Sequence, residues 1–257
     1  MKLGVEKDNM KTIEEYANFL KLSGLKSKIE DAINEANTCE LSYESFLLNL
    51  LQSEYDRRVE NGKKNRIRIA KFPYKKYLDD LVVSDLPDDA QKKIKMLSTL
   101  QFIEDGQNVI LAGNPGTGKT HIAIGLGINA CLEGYKVLYT TVPLFINQLK
   151  ECRSSRTLRA YENKFEKYDL VILDELGYIS SDKEGAELLF TNLSLRTGRK
   201  STIVTTNLSF DRRGEVFIDP IMTAAITDRL TYKSYMINMN GTSYRMKETK
   251  EWLERIN

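Results

Sequence analysis

The chain changes rhythm part-way along. Its first part repeats apolar residues at helical spacing. Ile13, Tyr16, Phe19 and Leu20 fall on one face, with Thr12 and Glu15 spaced for a capping box at a helix start. A second helix is expected over 23–37. Ser42 is placed to cap a third, in which Phe46, Leu47, Leu50, Leu51 and Tyr55 share a face. Pro73 breaks the helical pattern. Beyond it, strand-like runs at 109–112, 136–141, 169–174, 201–206 and 235–239 alternate with helix-like segments. That alternation predicts a parallel sheet covered by helices. The expected class is α/β, a three-layer domain with a five-stranded parallel sheet, preceded by a small all-helical domain. A last helix is expected to include 247–255, with Trp252 docked on the domain.

Composition adds boundaries to this picture. A length of 257 residues holds one large domain, or one with a smaller module, and 41% hydrophobic residues suffice for a core. The net charge of +2 names no partner by itself. Its distribution says more, because residues 57–76 carry nine Lys or Arg against the single acid Glu60. The domain boundary is expected in this stretch, near 72–80: a helical N-terminal domain with basic linker over 1–75, then the α/β domain over 76–257. No apolar run approaches the length that crosses a bilayer, and the first residues lack an apolar signal core. Cys39, Cys131 and Cys152 show no metal-like spacing, so reduced thiols in a cytoplasmic protein are expected. His121, the only histidine, cannot anchor a histidine-rich metal centre and is expected to cap or pack at a first helical turn.

Residues Gly113, Asn114, Pro115, Gly116, Thr117, Gly118, Lys119 and Thr120 fit G-x-x-x-x-G-K-[ST] without a mismatch, and His121 follows. The run before them reads as a buried strand and the run after them as a helix start, the context that makes the pattern a phosphate loop. Glycines let backbone N–H groups curl toward phosphates, and the helix N-terminus adds its dipole. Lys119 brings a cation to the outer phosphates of ATP, and Thr120 offers a hydroxyl to Mg²⁺. A second apolar run ends in Asp174 and Glu175. A buried strand of this kind delivers carboxylates to the ligand-binding edge of a parallel sheet. Asp174 is expected to hold Mg²⁺, directly or through water, and Glu175 to polarise the attacking water. A third run, 201–206, ends at Asn207, which either helps position that water or simply starts a turn.

Taken together, these residues resemble Walker A, Walker B and the strand-end Asn of an AAA+ ATPase. The resemblance narrows to IstB-type transposition helper ATPases, of the DnaC-related clade, through Tyr55-Asp-Arg-Arg58, Phe72-Pro73, Gly116-Thr-Gly-Lys-Thr-His121 and Leu173-Asp-Glu-Leu-Gly177-Tyr178. It is carried further by Gly214-Glu-Val-Phe217, Asp219-Pro220, Asp228-Arg-Leu230 and Gly241-Thr-Ser-Tyr-Arg245. One departure is Thr231-Tyr-Lys-Ser-Tyr235, where that family usually has a histidine-containing stretch; it touches none of the ATPase residues. The resemblance implies that Arg229 is an arginine finger reaching a neighbouring subunit's nucleotide, the alternative being a structural ion pair. It leaves Arg245 as either a second nucleotide sensor or a DNA contact.

Two basic regions are candidate DNA contacts: Lys63, Lys64, Arg66 and Arg68, beside Phe72 and Tyr74, and then Lys150, Arg153, Arg156 and Arg159 between the Walker A and Walker B residues. Related initiator-type ATPases grip nucleic acid at the second location, so the resemblance supports it. The alternative for either is a solvated helix face. On a helix, Arg153, Arg156 and Arg159 would fan across part of one surface. The resemblance implies an ATP-dependent regulator of transposition that self-assembles, binds and deforms duplex DNA, recruits and stimulates a cognate transposase, resets by ATP hydrolysis, and has no membrane partner. A DnaC-like helicase loader favouring single strands is the alternative. A nucleotide-gated scaffold without turnover is opposed by the Asp174–Glu175 pair, and a small-molecule kinase would need an acceptor pocket and lid that the sequence does not display.

Overall fold

The computed structural model describes residues 2–177, 182–207 and 220–256. Tyr178, the 214–217 stretch and Asp219, which carried part of the resemblance, lie outside them. The chain forms two compact units, Met1–Asn65 and Arg66–Asn257.

The first unit contains α1 (Lys2–Phe19), α2 (Ser23–Thr38) and most of α3 (Tyr43–Ile69). Ser42 caps α3, its hydroxyl accepting the Ser45 N–H at 3.2 Å. Thr12 lies inside α1 rather than at its start, because α1 begins ten residues earlier, at Lys2. The apolar faces expected here also fall differently. Ala17, Ile29 and Leu50 are buried, whereas Tyr16, Phe19, Leu47, Leu51 and Tyr55 are exposed. Glu54 on α3 takes the first amides of α2: its carboxylate accepts from Gly24 N–H at 2.7 Å and Leu25 N–H at 3.3 Å, and Arg58 donates to it at 2.6 Å. Helix N-termini leave such N–H groups without intrahelical partners.

The division falls ahead of the 75/76 boundary expected from composition. Ala70 is buried in the second unit, with Ile67 and Phe72 packed against the same core, so the end of the basic stretch belongs there. The following strap runs through short 3-10 turns at Leu78–Asp80 and Val83–Asp85. It is succeeded by α4 (Asp88–Leu97) and α5 (Gln101–Glu104). The sheet comprises β1 (Asn108–Ala112), β2 (Val137–Thr141), β3 (Leu170–Leu176), β4 (Ser201–Thr206) and β5 (Ser234–Asn238). All its pairings are parallel, in the order β2-β3-β4-β1-β5.

Side chains alternate between faces along each strand. Val109, Leu111, Ile172 and Ile203 join one apolar cluster with α6 (Lys119–Leu132). Ile110, Val171, Leu173 and Val204 join the other. That second layer is formed by α7 (Val142–Ser154), α8 (Leu158–Phe165), α9 (Lys183–Arg196) and α10 (Pro220–Thr231). Both faces are covered, which is why the strands read as continuous apolar runs. The strap lies against α6, where glycine is required for contact: a Cβ on Gly127 would sit 2.9 Å from the Phe72 ring, and one on Gly125 2.6 Å from a Leu78 methyl.

The last helix, α11 (Tyr244–Ile256), begins at the phosphate loop, with Tyr244 N–H donating to Gly116 O at 2.9 Å and Lys247 pairing with Asp85 at 2.8 Å. Trp252 does not dock as expected; it is 59% exposed, because α11 is anchored through its first turn. No described helix is long and apolar enough to cross a membrane.

Candidate active site

Strand order assembles the site. β4 lies between β1 and β3, so the loop after β1, the acids ending β3 and Asn207 after β4 emerge side by side. A cleft of about 280 Å³ opens there, lined by residues 115–121, Glu175, Asn207 and Arg245. Gly116 has φ +80°, and a Cβ there would meet the Ser243 hydroxyl at 2.2 Å, so the turn and the start of α11 both require glycine.

Lys119 is 7% exposed and folds back on its own loop, donating to Gly113 O at 2.7 Å and Asn114 O at 2.6 Å. Burial lowers its ammonium to about 8, with Asp174 opposing that drop and Arg245 adding to it. His121 reaches out of α6 to the strap, its Nε2 2.9 Å from Tyr77 O, so that nitrogen carries the proton. The strap also contributes Leu81, Val82 and Leu86 as an apolar end of the cleft, which complements the polar loop as a base complements phosphates.

Asp174 is 3% exposed and surrounded by hydroxyls. Thr120 donates to its Oδ1 at 3.1 Å and Tyr139 to its Oδ2 at 2.6 Å, while Thr205 also donates to Oδ1. Burial and the Asp174 charge push the Tyr139 phenol well above its usual value, so it stays a donor. Next to it, Glu175 is exposed and adopts φ +66°. The Thr120 hydroxyl beside the Asp174 carboxylate is a pair of hard oxygen donors at the mouth of a phosphate loop. That set suits Mg²⁺, which binds through one or two protein oxygens and otherwise through phosphate and water. Among the described residues no group of three or more His, Cys, Asp or Glu forms a cage.

Tyr139, Thr205 and the strap were not singled out by sequence reading. Thr205 and Thr206 form a polar pair before Asn207, a weak signal, whereas Tyr139 sits within a strand-like run and gives none. Tyr74, noted beside the basic stretch, instead lines the cleft, where burial and Asp174 push its phenol upward.

The remaining candidates lie elsewhere. Arg229, at the end of α10, pairs with Asp228 at 2.7 Å and lies 5.6 Å from the Phe190 ring centre, outside the cleft lining. Lys63 and Lys64 lie on α3, where Lys64 pairs with Glu60 at 3.2 Å. Arg66 donates to Cys131 O at 2.7 Å, an architectural contact; Arg68 is exposed. The expected arginine fan is corrected, because Arg153, Arg156 and Arg159 do not share a helix. α7 ends at Ser154, Arg156 takes φ +57°, and Arg159 belongs to α8. The Thr157 N–H reaches back to Cys152 O at 2.8 Å and Arg156 N–H to Arg153 O at 3.2 Å, a helix-ending Schellman pattern. Lys150 pairs with Asp182 at 2.8 Å and Arg153 approaches Glu184 at 3.4 Å.

A phosphate loop after β1, acids at the end of β3 and a five-stranded parallel sheet in this order define a P-loop ATPase fold of the AAA+ class. The solved structure of DnaI shares it, with a TM-score of 0.55 and 21% identity, covering 68% of this chain and 93% of that one. AMPPCP-bound DnaA from Aquifex aeolicus superposes with a TM-score of 0.55 and 20% identity, covering 71% of this chain and 56% of that one. The chain belongs to the family of IstB-like ATP binding proteins, matched over residues 15–252. It is 35% identical over 242 residues to the ATP-binding protein of insertion sequence IS21 from Pseudomonas aeruginosa, spanning 94% of this chain and 91% of that protein. It is 33% identical to the corresponding protein of IS5376 from Geobacillus stearothermophilus, spanning 93% and 95%.

Proposed function

We propose that this protein is an ATP-hydrolysing regulator of transposition that assembles with copies of itself on duplex DNA, deforms that DNA and engages a cognate transposase. The observation that carries the reading is the convergence of Lys119, Thr120, Asp174, Glu175 and Asn207 on one cleft, in a chain whose relatives are insertion-sequence ATP-binding proteins.

Lys119 exchanges its loop carbonyls for the outer phosphates of ATP, while the loop N–H groups cradle them. Thr120 and Asp174 hold Mg²⁺, which supplies charge neutralisation at those phosphates. Glu175 polarises the attacking water, and Asn207 helps place it. Arg245 approaches the phosphates from the same chain. Arg229 faces the nucleotide of a neighbouring copy and offsets charge that develops during transfer. The basic residues near α3 and α8 contact DNA phosphates, which gives salt-sensitive affinity with little base preference. Hydrolysis releases the assembly. A DnaC-like helicase loader would share the fold, but the family match over residues 15–252 favours the transposition role.

Nucleotide binding and single-turnover hydrolysis test the reading. Lys119→Ala should lose most ATP affinity. Glu175→Gln should keep it and lose turnover on the order of a hundredfold or more, the typical worth of a positioned base. Hydrolysis by Glu175→Gln at the parental rate would exclude the assigned role.

A further inference from the structure

β3 does not finish as a regular strand. Leu173 and Leu176 both pack in the same apolar cluster although they are three positions apart. Strict alternation would send residues 173 and 175 to that face. The ladder with β4 slips between Leu173 and Leu176, so the strand bulges at Asp174 and Glu175. The consequence is an exchange: Leu176 takes the buried place that Glu175 would occupy, and Glu175 emerges exposed at the sheet end. Its φ of +66° is disfavoured for a residue with a Cβ, so neighbours must hold it.

Thr205 is the neighbour that does so. Its hydroxyl oxygen accepts the Glu175 N–H at 2.9 Å, replacing a ladder bond that the bulge interrupts. The same hydroxyl donates to Asp174. On the far side, Thr206 donates to Leu176 O at 2.8 Å, so consecutive β4 hydroxyls bracket the bulge. From the other flank, Tyr139 on β2 donates to the second Asp174 oxygen at 2.6 Å. Tyr139 and Thr205 are 8% and 2% exposed, so neither hydroxyl has water as a ready substitute. Thr120 also donates to Asp174, but it is itself a candidate cation ligand. Tyr139 and Thr205 have no such second assignment.

We propose that Tyr139 and Thr205 are positioning residues of the ATPase site. Tyr139 fixes the Asp174 carboxylate for the cation. Thr205 fixes the same carboxylate and holds the bulge that turns Glu175 out of the core toward the cleft. The proposal rests on the roles given above to Asp174 and Glu175.

The test compares the full chain with Tyr139→Phe, Thr205→Val and Thr205→Ser, using Glu175→Gln as reference. Three quantities are read: affinity for a fluorescent ATP analogue in EDTA, the gain in that affinity on adding Mg²⁺, and the single-turnover hydrolysis rate. In EDTA each variant should bind within about twofold of the parent, since none of these hydroxyls touches the phosphate loop. Tyr139→Phe should shrink the Mg²⁺-dependent gain by about tenfold, the usual scale for losing a hydrogen-bond partner of a metal ligand. Thr205→Val should slow hydrolysis by about tenfold or more at saturating Mg²⁺, and Thr205→Ser, which keeps the oxygen, should recover most of that loss. Parental gain and parental rate in Tyr139→Phe and Thr205→Val, with Glu175→Gln inactive, would overturn this proposal and leave the ATPase reading standing. Parental hydrolysis by Glu175→Gln would overturn both. If Thr205→Val fails to bind nucleotide in EDTA, it has misfolded, and the Mg²⁺-dependent gain of Tyr139→Phe decides: a loss supports the proposal and a parental gain overturns it.

Discussion

Buried charges in this protein are each matched by several polar partners, and Glu54 shows how one residue organises its surroundings. Arg58 and the Gly24 and Leu25 amides in the first turn of α2 hold its carboxyl below the usual range, Arg58 most strongly, against a burial effect in the other direction. A carboxylate with a depressed folded value stabilises the fold fully above its unfolded value near 4.5 and loses that contribution as pH falls through the lower folded value. Glu54→Gln should therefore cost about 1 kcal/mol near neutral pH, the scale of a lost helix cap. Urea unfolding of parent and variant should converge as pH falls below 4.5 and on through the lowered folded value. A constant difference between pH 7 and pH 3 would show that the charge of Glu54 is immaterial. Arg196 follows the same logic at 1% exposure: its guanidinium donates to the carbonyls of Phe165, Tyr168, Asp169 and Ser201, tying the starts of β3 and β4 together.

At the scale of elements, the way α7 ends reshapes the candidate DNA surface. The left-handed Arg156 separates α7 from α8, so the basic side chains occupy two helices and a turn. Lys150 and Arg153 face Asp182 and Glu184 at the start of α9, where Asp182 also caps the helix through the Gly185 N–H. Among the described residues no ion pair holds Arg156 or Arg159. A phosphate competing for Lys150 or Arg153 must displace a carboxylate; one meeting Arg156 or Arg159 need not. Arg156→Ala and Arg159→Ala should each flatten the log-affinity against log-salt slope by about one unit on unrelated duplexes, and Lys150→Ala and Arg153→Ala by less. Equal slopes for the parent and all four variants would make this surface a solvated face. A strong preference for single strands would favour the helicase-loader role.

For the whole molecule, the site described within one chain lacks the proposed finger. Among the described residues Arg229, 41% exposed at its side chain, pairs with its neighbour Asp228 and is set beside Phe190 rather than in the cleft of its own chain. Arg229→Ala should bind ATP as the parent does and lose hydrolysis on the order of a thousandfold, within the range for removal of an arginine finger. Mixing it with Lys119→Ala should restore part of the turnover, because one copy offers an intact pocket and the other an intact finger. Co-assembly of the two variants, checked by pull-down, without any recovery across mixing ratios would exclude action between copies.

Local rules made much of this protein legible in its sequence. Each expected strand appears within two residues of its end, because continuous apolar runs bounded by turns are what a sheet covered on both faces demands. The phosphate loop and the Asp174–Glu175 pair were legible because their chemistry needs fixed residue types at fixed spacing. Tertiary structure decided what depends on partners distant in sequence. Tyr139 reaches Asp174 only because β2 lies beside β3, and Thr205 becomes a clamp only where β4 pairs across a bulge. The strap joined the core of the second unit because Gly125 and Gly127 leave room on α6 for Leu78 and Phe72. In the first unit the spacing of apolar residues predicted faces correctly as helix but not as core, since periodicity orders side chains around an axis and leaves open which side another helix covers.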